Sequence, residues 1–212
     1  DPAPPDPAVC ATRVFTGTTD ARVIALDAMS GRPCEDFGAN GEVKIAPSVP
    51  LLWPGEFHVS SAPVVLSGTL VVGSAIGDNQ RVAAPSGAVH AFDARSGALK
   101  WTFDPIPREP ADARAPGWGD GWQTAGHANV WAPMSTDEDR GLIFMPTSSP
   151  SPDFYGGLRP GDNRHANSVV AIRAEDGAVQ WAYQTVHHDV WDYDVPAQPT
   201  LATLTLPDGP RD

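Results

Sequence analysis

Three stretches of the chain repeat one pattern, and that pattern restricts the fold more than any other feature. They are Val23-Ile24-Ala25-Leu26-Asp27-Ala28-Met29-Ser30-Gly31, Val89-His90-Ala91-Phe92-Asp93-Ala94-Arg95-Ser96-Gly97 and Val169-Val170-Ala171-Ile172-Arg173-Ala174-Glu175-Asp176-Gly177. Each reads as a strand ending in a four-residue turn closed by Gly, the residue that accepts positive φ at little cost. In the second and third copies a Trp follows four positions after the Gly, at Trp101 and Trp181, whereas the first copy has Glu35 there and loses that anchor. A small Ala before the turn and a large Trp after it suit packing between neighbouring sheets. Further strand candidates lie between the copies, at Pro63 to Leu66, Thr69 to Ser74 and Gly141 to Pro146. Helical periodicity is nearly absent. The 23 Pro, 20 Gly and 7 Trp are spread between apolar runs, as many short strands joined by tight turns require. The fold class is therefore all-β, and the architecture that fits is a β-propeller with about three blades, too few to close the usual ring of 4–8.

The formal net charge is −12 and no cluster of Lys and Arg that could bind phosphates is visible, so no nucleic-acid partner is expected. No apolar run approaches the ~20 residues needed to cross a bilayer. Residues 1–9, rich in Pro and Asp, read as a linker or cut point, with 10–212 as a partial propeller. Both ends read as boundaries of a piece of a longer protein. Cys10 and Cys34 flank the first strand pair; they can bridge in an oxidising compartment or stay as buried thiols.

The densest chemistry follows the strand-like run Val179 to Thr185. His187, His188, Asp189, Trp191, Asp192, Tyr193, Asp194, Pro196 and Pro199 fall within a few residues of one another. Such a concentration of titratable and rigid groups marks a site or a polar loop anchored by its Trp. Three long inserts, Ala39 to Phe57, Pro105 to Gly126 and Ser148 to Asn167, are long enough to be functional loops or covers for one face.

With the repeats and the His-His-Asp stretch together, the chain resembles the PQQ-dependent quinoprotein dehydrogenases. The repeat Ala-x-Asp-x-x-x-Gly-x-x-x-Trp looks like their tryptophan-docking motif. The run Tyr183-Gln184-Thr185-Val186-His187-His188-Asp189-Val190-Trp191-Asp192 looks like the membrane-bound glucose, quinate and shikimate dehydrogenase branch. Asn129-Val130-Trp131-Ala132-Pro133-Met134 and Pro152-Asp153-Phe154-Tyr155-Gly156-Gly157 match as well. The resemblance implies an eight-bladed propeller on the periplasmic side of the bacterial inner membrane. It further implies PQQ and a divalent cation, Ca²⁺ or Mg²⁺, with electrons passed to membrane ubiquinone.

Residue by residue, the resemblance implies that Asp189 is the catalytic base; His187 and His188 can orient it or can equally be packed histidines. Trp131 would be the aromatic floor beneath the cofactor. Ser60 and Asn129 would hydrogen-bond its acidic groups, and the backbone of Ala75, Ile76 and Gly77 would face a PQQ carboxylate. Asp78 and Asn79 would serve the cation, as in the glucose-type branch. Ser149 stands where alcohol-type members supply an Asn ligand, a departure that puts the rest of the ligand set in question. Asp192 and Asp194 are expected to hold loop geometry, and Trp118 and Trp122 to pack the second insert. The quinone-contacting Lys or Arg of the family would lie beyond Asp212, so the isolated chain is expected to be inactive. The expected parent activity is oxidation of a sugar or cyclic polyol. The rivals are a PQQ-dependent alcohol dehydrogenase, disfavoured by Asp78-Asn79 and the lack of adjacent cysteines, and a non-catalytic propeller scaffold, which has no use for Asp78, Trp131 and Asp189 together.

Overall fold

The computed structural model describes residues 10–206 and 209–211; the expected linker at 1–9 lies outside the described residues. The strands build three successive sheets. The first holds β1 (Arg13–Gly17), β2 (Arg22–Asp27) and β3 (Glu42–Lys44), in that order. A short pair follows, β4 (Phe57–His58) with β7 (Ala75–Ile76). The second sheet runs β5 (Val64–Leu66), β6 (Thr69–Val72), β8 (Val89–Asp93) and β9 (Leu99–Phe103). The third runs β10 (Ser135–Asp137), β11 (Leu142–Pro146), β12 (Ser168–Arg173) and β13 (Val179–Gln184). A last pair joins β14 (Leu204–Leu206) to β15 (Gly209–Arg211). Every neighbouring pair in the three sheets is antiparallel. These are the expected propeller blades: two of four strands and one of three.

The repeated turns close as their sequence predicts. In the second copy one Asp93 carboxylate oxygen accepts from the N–H groups of Arg95 and Ser96 and from the Ser96 hydroxyl. The Gly97 N–H donates back to the Asp93 carbonyl at 2.8 Å, with Gly97 at φ 73. Asp27 binds Ser30 in the same way, and its other oxygen takes the N–H of Cys10. The third copy has Arg173 in place of the first Asp and turns instead on an Arg173–Asp176 ion pair.

Strand β6 is buried along its whole length because it is covered on both faces. Leu70 and Val72 pack with Val23, Phe37 and Phe57 against the first sheet. Val71, pointing the other way, joins Trp101, Met145 and Ile172 against the third. The second joint is where Trp101 docks: its indole N–H donates to the Ala174 carbonyl at 2.9 Å. A Cβ at Gly177 would stand 2.8 Å from the Trp101 ring, so the ring lies directly on the turn glycine. The first copy, lacking the Trp, docks differently from the expected lost anchor. The Gly38 N–H donates to the Ser96 carbonyl, and Arg13 and Arg95 both pair with Asp36. Part of the first insert, expected as loop, is used as β3, and the joint itself lies just before that insert. Cys10 and Cys34 are joined in a disulfide with Cα atoms 5.7 Å apart, which settles the alternative left open by their spacing.

Trp101 is 9% exposed, so Trp101→Ala is expected to cost about 3–5 kcal/mol and Trp101→Phe, which keeps most of the packing but loses the hydrogen bond, only about 1 kcal/mol. Urea unfolding of both variants checks the order; equal losses would mean that the ring's contact with Gly177 contributes little.

Candidate functional site

Strand direction decides where the chemistry gathers. In the antiparallel second and third sheets, β6 and β9 run one way, and so do β11 and β13. The segments that leave their C-terminal ends are 73–88, 104–134, 147–167 and 185–203, and each emerges at the same end of its sheet. Those four segments carry nearly every residue expected to act.

The first delivers Asp78. Gly73 passes so close to the third-sheet approach that a Cβ would lie 2.1 Å from the Val130 carbonyl oxygen. Strand β7 is then tied to β4, and the Gly77 N–H donates to the Glu56 carbonyl at 2.8 Å. This N–H, expected to face a cofactor carboxylate, is therefore engaged within the protein. Asp78 follows with its carboxylate open to solvent, and Asn79 adopts φ 57. Ser60 is exposed after β4.

The second segment brings His127, Asn129 and Trp131. His127 and Ala128 take φ 60 and 54, a conformation disfavoured for residues with a Cβ and common where a site over-determines the backbone. His127 Nδ1 lies 3.2 Å from Asp153 Oδ1 and 4.0 Å from Asp78 Oδ1. Asp153 also accepts the Asn79 N–H, so it spans the histidine and the Asp78 loop. Asn129 is buried, donating to the Ser74 carbonyl and accepting from the Ser148 hydroxyl. Trp118 and Trp122 pack the insert against Ala128 and Ala166, as expected.

The third and fourth segments interlock around Asp189, which is 1% exposed. Its Oδ2 accepts from the Ser149 hydroxyl at 2.7 Å, Asn167 Nδ2 at 3.2 Å and the Tyr193 N–H at 2.8 Å. Its Oδ1 accepts only the Trp191 N–H, at 3.1 Å. Neither His187 nor His188 is the group that orients it. His188 instead bonds the Gly161 carbonyl, at 2.7 Å. Asp194 holds geometry as expected, taking the Ser149 N–H on one oxygen and the Trp131 indole N–H on the other. Trp131, Asp194, Ser149 and Asp189 thus form one connected chain of hydrogen bonds. Buried Arg159 closes the arrangement from below. Its guanidinium donates to the carbonyls of Pro152, Asp153 and Asp189 and to the Asn163 side chain.

Charge at the site is one-sided. Loss of hydration raises Asp192 to about 6, and Asp194, Asp153, Asp78 and Asp189 push it the same way. Asp78 is also raised, by loss of hydration first and by Asp153 and Asp194, with His127 opposing. Burial lowers Arg159, with Asp189 and Asp153 opposing; its Nη2 donates to the carbonyls of Pro152, Asp153 and Asp189 and its Nη1 to the Asn163 side chain. Five aspartates share the neighbourhood, against which stand His127, beside Asp78 and Asp153, and the buried Arg159. That is a donor set suited to a divalent ion.

His127, Asp153, Asn167 and Arg159 carry the geometry without having been singled out from the sequence. Asp153 lies in a quoted motif, Pro152-Asp153-Phe154-Tyr155, and His127 stands two residues before Asn129, so motif position was the available signal; Arg159 and Asn167 had none.

Residues 2–212 match the family model for the PQQ glucose/ethanol/alcohol dehydrogenase β-propeller domain, and the chain belongs to that family. It is 39% identical to the quinate/shikimate dehydrogenase (quinone) of Acinetobacter baylyi, over 94% of this chain and 25% of that protein. It is 37% identical to quinoprotein glucose dehydrogenase A of Acinetobacter calcoaceticus, over 92% of this chain and 24% of that protein. Among solved structures, a europium-containing methanol dehydrogenase superposes with TM-score 0.71 at 27% identity, covering 92% of this chain and 34% of that one. The chain spans about a quarter of the length of these curated relatives.

Because Asp192 titrates at about 6 in the folded protein against 3.8 for the free side chain, the fold holds its proton more tightly than the unfolded chain does. The stabilisation is complete below the lower value and lost as pH rises through the upper one. In cation-free protein, stability is expected to fall across that window, and Asp192→Asn to flatten the fall. Thermal unfolding from about pH 4 to pH 7 measures both slopes; identical slopes would remove Asp192 from the account.

Proposed function

We propose that the chain forms the cofactor-and-base part of a PQQ-dependent dehydrogenase that oxidises a sugar or cyclic polyol. The observation that carries this reading is the hydrogen-bonded chain from Trp131 through Asp194 and Ser149 to Asp189, which fixes an aromatic platform and a buried carboxylate in one rigid unit. The family match and the names of the glucose and quinate/shikimate relatives support the substrate class. The quinone in the name of the quinate/shikimate relative supports a quinone as electron acceptor; membrane ubiquinone, met from the periplasmic side of the inner membrane, is the acceptor we assign to the full-length protein.

The residues present fit both groups that the family implies. Trp131 is half-buried, with its indole N–H tied to Asp194, so the ring is held against rotation and can support a planar cofactor. The clustered aspartates can share their space with an acidic cofactor only if a cation lies between them. When bound, PQQ supplies the two-electron oxidant and the cation polarises its quinone oxygen.

The chain's own part is proton removal and orientation. A carboxylate oxygen has roughly two lone-pair positions, and Asp189 Oδ2 already accepts three donors. Oδ1 accepts one, so Oδ1 is the atom able to take the hydroxyl proton of the substrate. Asn167 and Ser149, both donating to Oδ2, keep the carboxylate aimed while Arg159 fixes the backbone beneath it. Burial keeps bulk water from the base.

In the full-length protein loaded with PQQ and a divalent cation, Asp189→Asn is expected to lower kcat by about 10²–10⁴-fold while bound PQQ, read by its absorbance, stays. Assays against glucose, quinate, shikimate, glycerol and ethanol establish the substrate. Turnover by Asp189→Asn at the wild-type rate, or preference for ethanol over every polyol, would overturn the reading.

A further inference from the structure

The ligand set expected for the cation was Asp78, Asn79 and Ser149. Ser149 is already tied into the base network: its hydroxyl gives its proton to Asp189 and accepts from Asn167 at 2.8 Å, which leaves one lone pair. A different group is built around Asp78. One ligand atom each from Asp78, His127 and Asp153 can be chosen so that all three lie within 4.8 Å of one another, close enough to share one ion.

Three segments far apart in sequence supply these atoms, and two of the three side chains are enclosed: His127 is 2% exposed and Asp153 likewise 2%. The imidazole's Nε2 has no hydrogen-bond partner among the described residues. The ring's polar engagement is therefore all through Nδ1, which faces the two carboxylates at 3.2 and 4.0 Å. Asp153 is anchored on its other oxygen by the Asn79 N–H, so it is held while leaving lone pairs toward the centre. Asp192 and Asp194 add negative charge that acts on Asp78, while the buried Arg159 spends its Nη2 on the carbonyls of Pro152, Asp153 and Asp189.

We propose that Asp78, Asp153 and His127 together coordinate the divalent cation, with an imidazole nitrogen in the place Ser149 was expected to fill. The proposal rests on reading this end of the propeller as a cation site, but not on the choice of substrate. It has a chemical consequence. All-oxygen sites suit Ca²⁺ and Mg²⁺, whereas an imidazole nitrogen among carboxylates favours Mn²⁺ and later divalent ions relative to them. The site should therefore take Mn²⁺ more tightly than Ca²⁺, and His127 should be the source of that preference.

The test uses the full-length protein freed of PQQ and cations, titrated by calorimetry with Mn²⁺ and with Ca²⁺, and examined by pulsed electron paramagnetic resonance when Mn²⁺-loaded. The expected result is one Mn²⁺ per chain with ¹⁴N coupling from an imidazole. His127→Gln should abolish the coupling and the preference for Mn²⁺. Asp153→Asn should weaken Mn²⁺ about 10–100-fold, and Ser149→Ala should leave it unchanged. The resonance measurement on the unaltered protein needs no variant to fold. Absence of ¹⁴N coupling, absence of saturable binding, or loss of binding in Ser149→Ala with Asp153→Asn unaffected would overturn the proposal. Because neither PQQ nor substrate is present, a dehydrogenase that fails on every polyol leaves this result standing. An active enzyme whose ion sees only oxygen overturns this inference alone.

Discussion

Everything at the site depends on how one blade is seated against the next. A blade alone has two apolar faces, and β6 shows the consequence, with Leu70 and Val72 committed to one neighbour and Val71 to the other. Burial at roughly 25 cal/mol per Å² of apolar surface supplies the attraction, but it is non-directional and would tolerate sliding. The repeated turn removes that freedom. The Trp101 indole on Gly177, with its N–H on the Ala174 carbonyl, fixes the third sheet against the second at one depth and one angle.

With that register fixed, strand polarity does the rest. The four segments that leave the same end of the blades are spread along most of the chain, yet Asp78, His127, Asp153 and Asp189 are held by bonds that cross between them. The insert strands spend their own polar groups on one another, so the site side chains are oriented by a second layer: Asn79 N–H for Asp153, Asn167 for Asp189, Asp194 for Trp131. The cost is an excess of negative charge, visible in the raised Asp78 and Asp192.

Local repetition made the fold legible. The Asp-Ala-x-Ser-Gly turns, the small Ala and the Trp that follow simple rules for hairpins were readable, and so were the strands that they bound. Asp189, Asp78 and Trp131 were legible only through the likeness of whole motifs to a family. What could not be read was any partnership formed across inserts. His127 looks like one more loop histidine until the 127 and 153 segments are placed side by side. The role given to His187 and His188 failed for the same reason: adjacency in sequence puts His188 on the Gly161 carbonyl, while Ser149 and Asn167, far upstream, reach Asp189. The substitute joint made by Gly38 and Asp36 was hidden because it replaces a side-chain signal by a backbone hydrogen bond.

That substitute joint gives the molecule unequal seams. Between the second and third blades the contact is an enclosed aromatic ring, indifferent to ionic strength. Between the first and second the directional part is the Gly38 N–H on the Ser96 carbonyl together with Asp36, 45% exposed on its side chain, which Arg95 reaches from the second blade. Exposed ion pairs fade within a Debye length of about 8 Å at physiological salt and faster above it. Rising ionic strength therefore weakens the ion-paired part of one seam and spares the other, so the blade that carries the disulfide is the one set to part first from the end that gathers Asp78, Asp153 and Asp189.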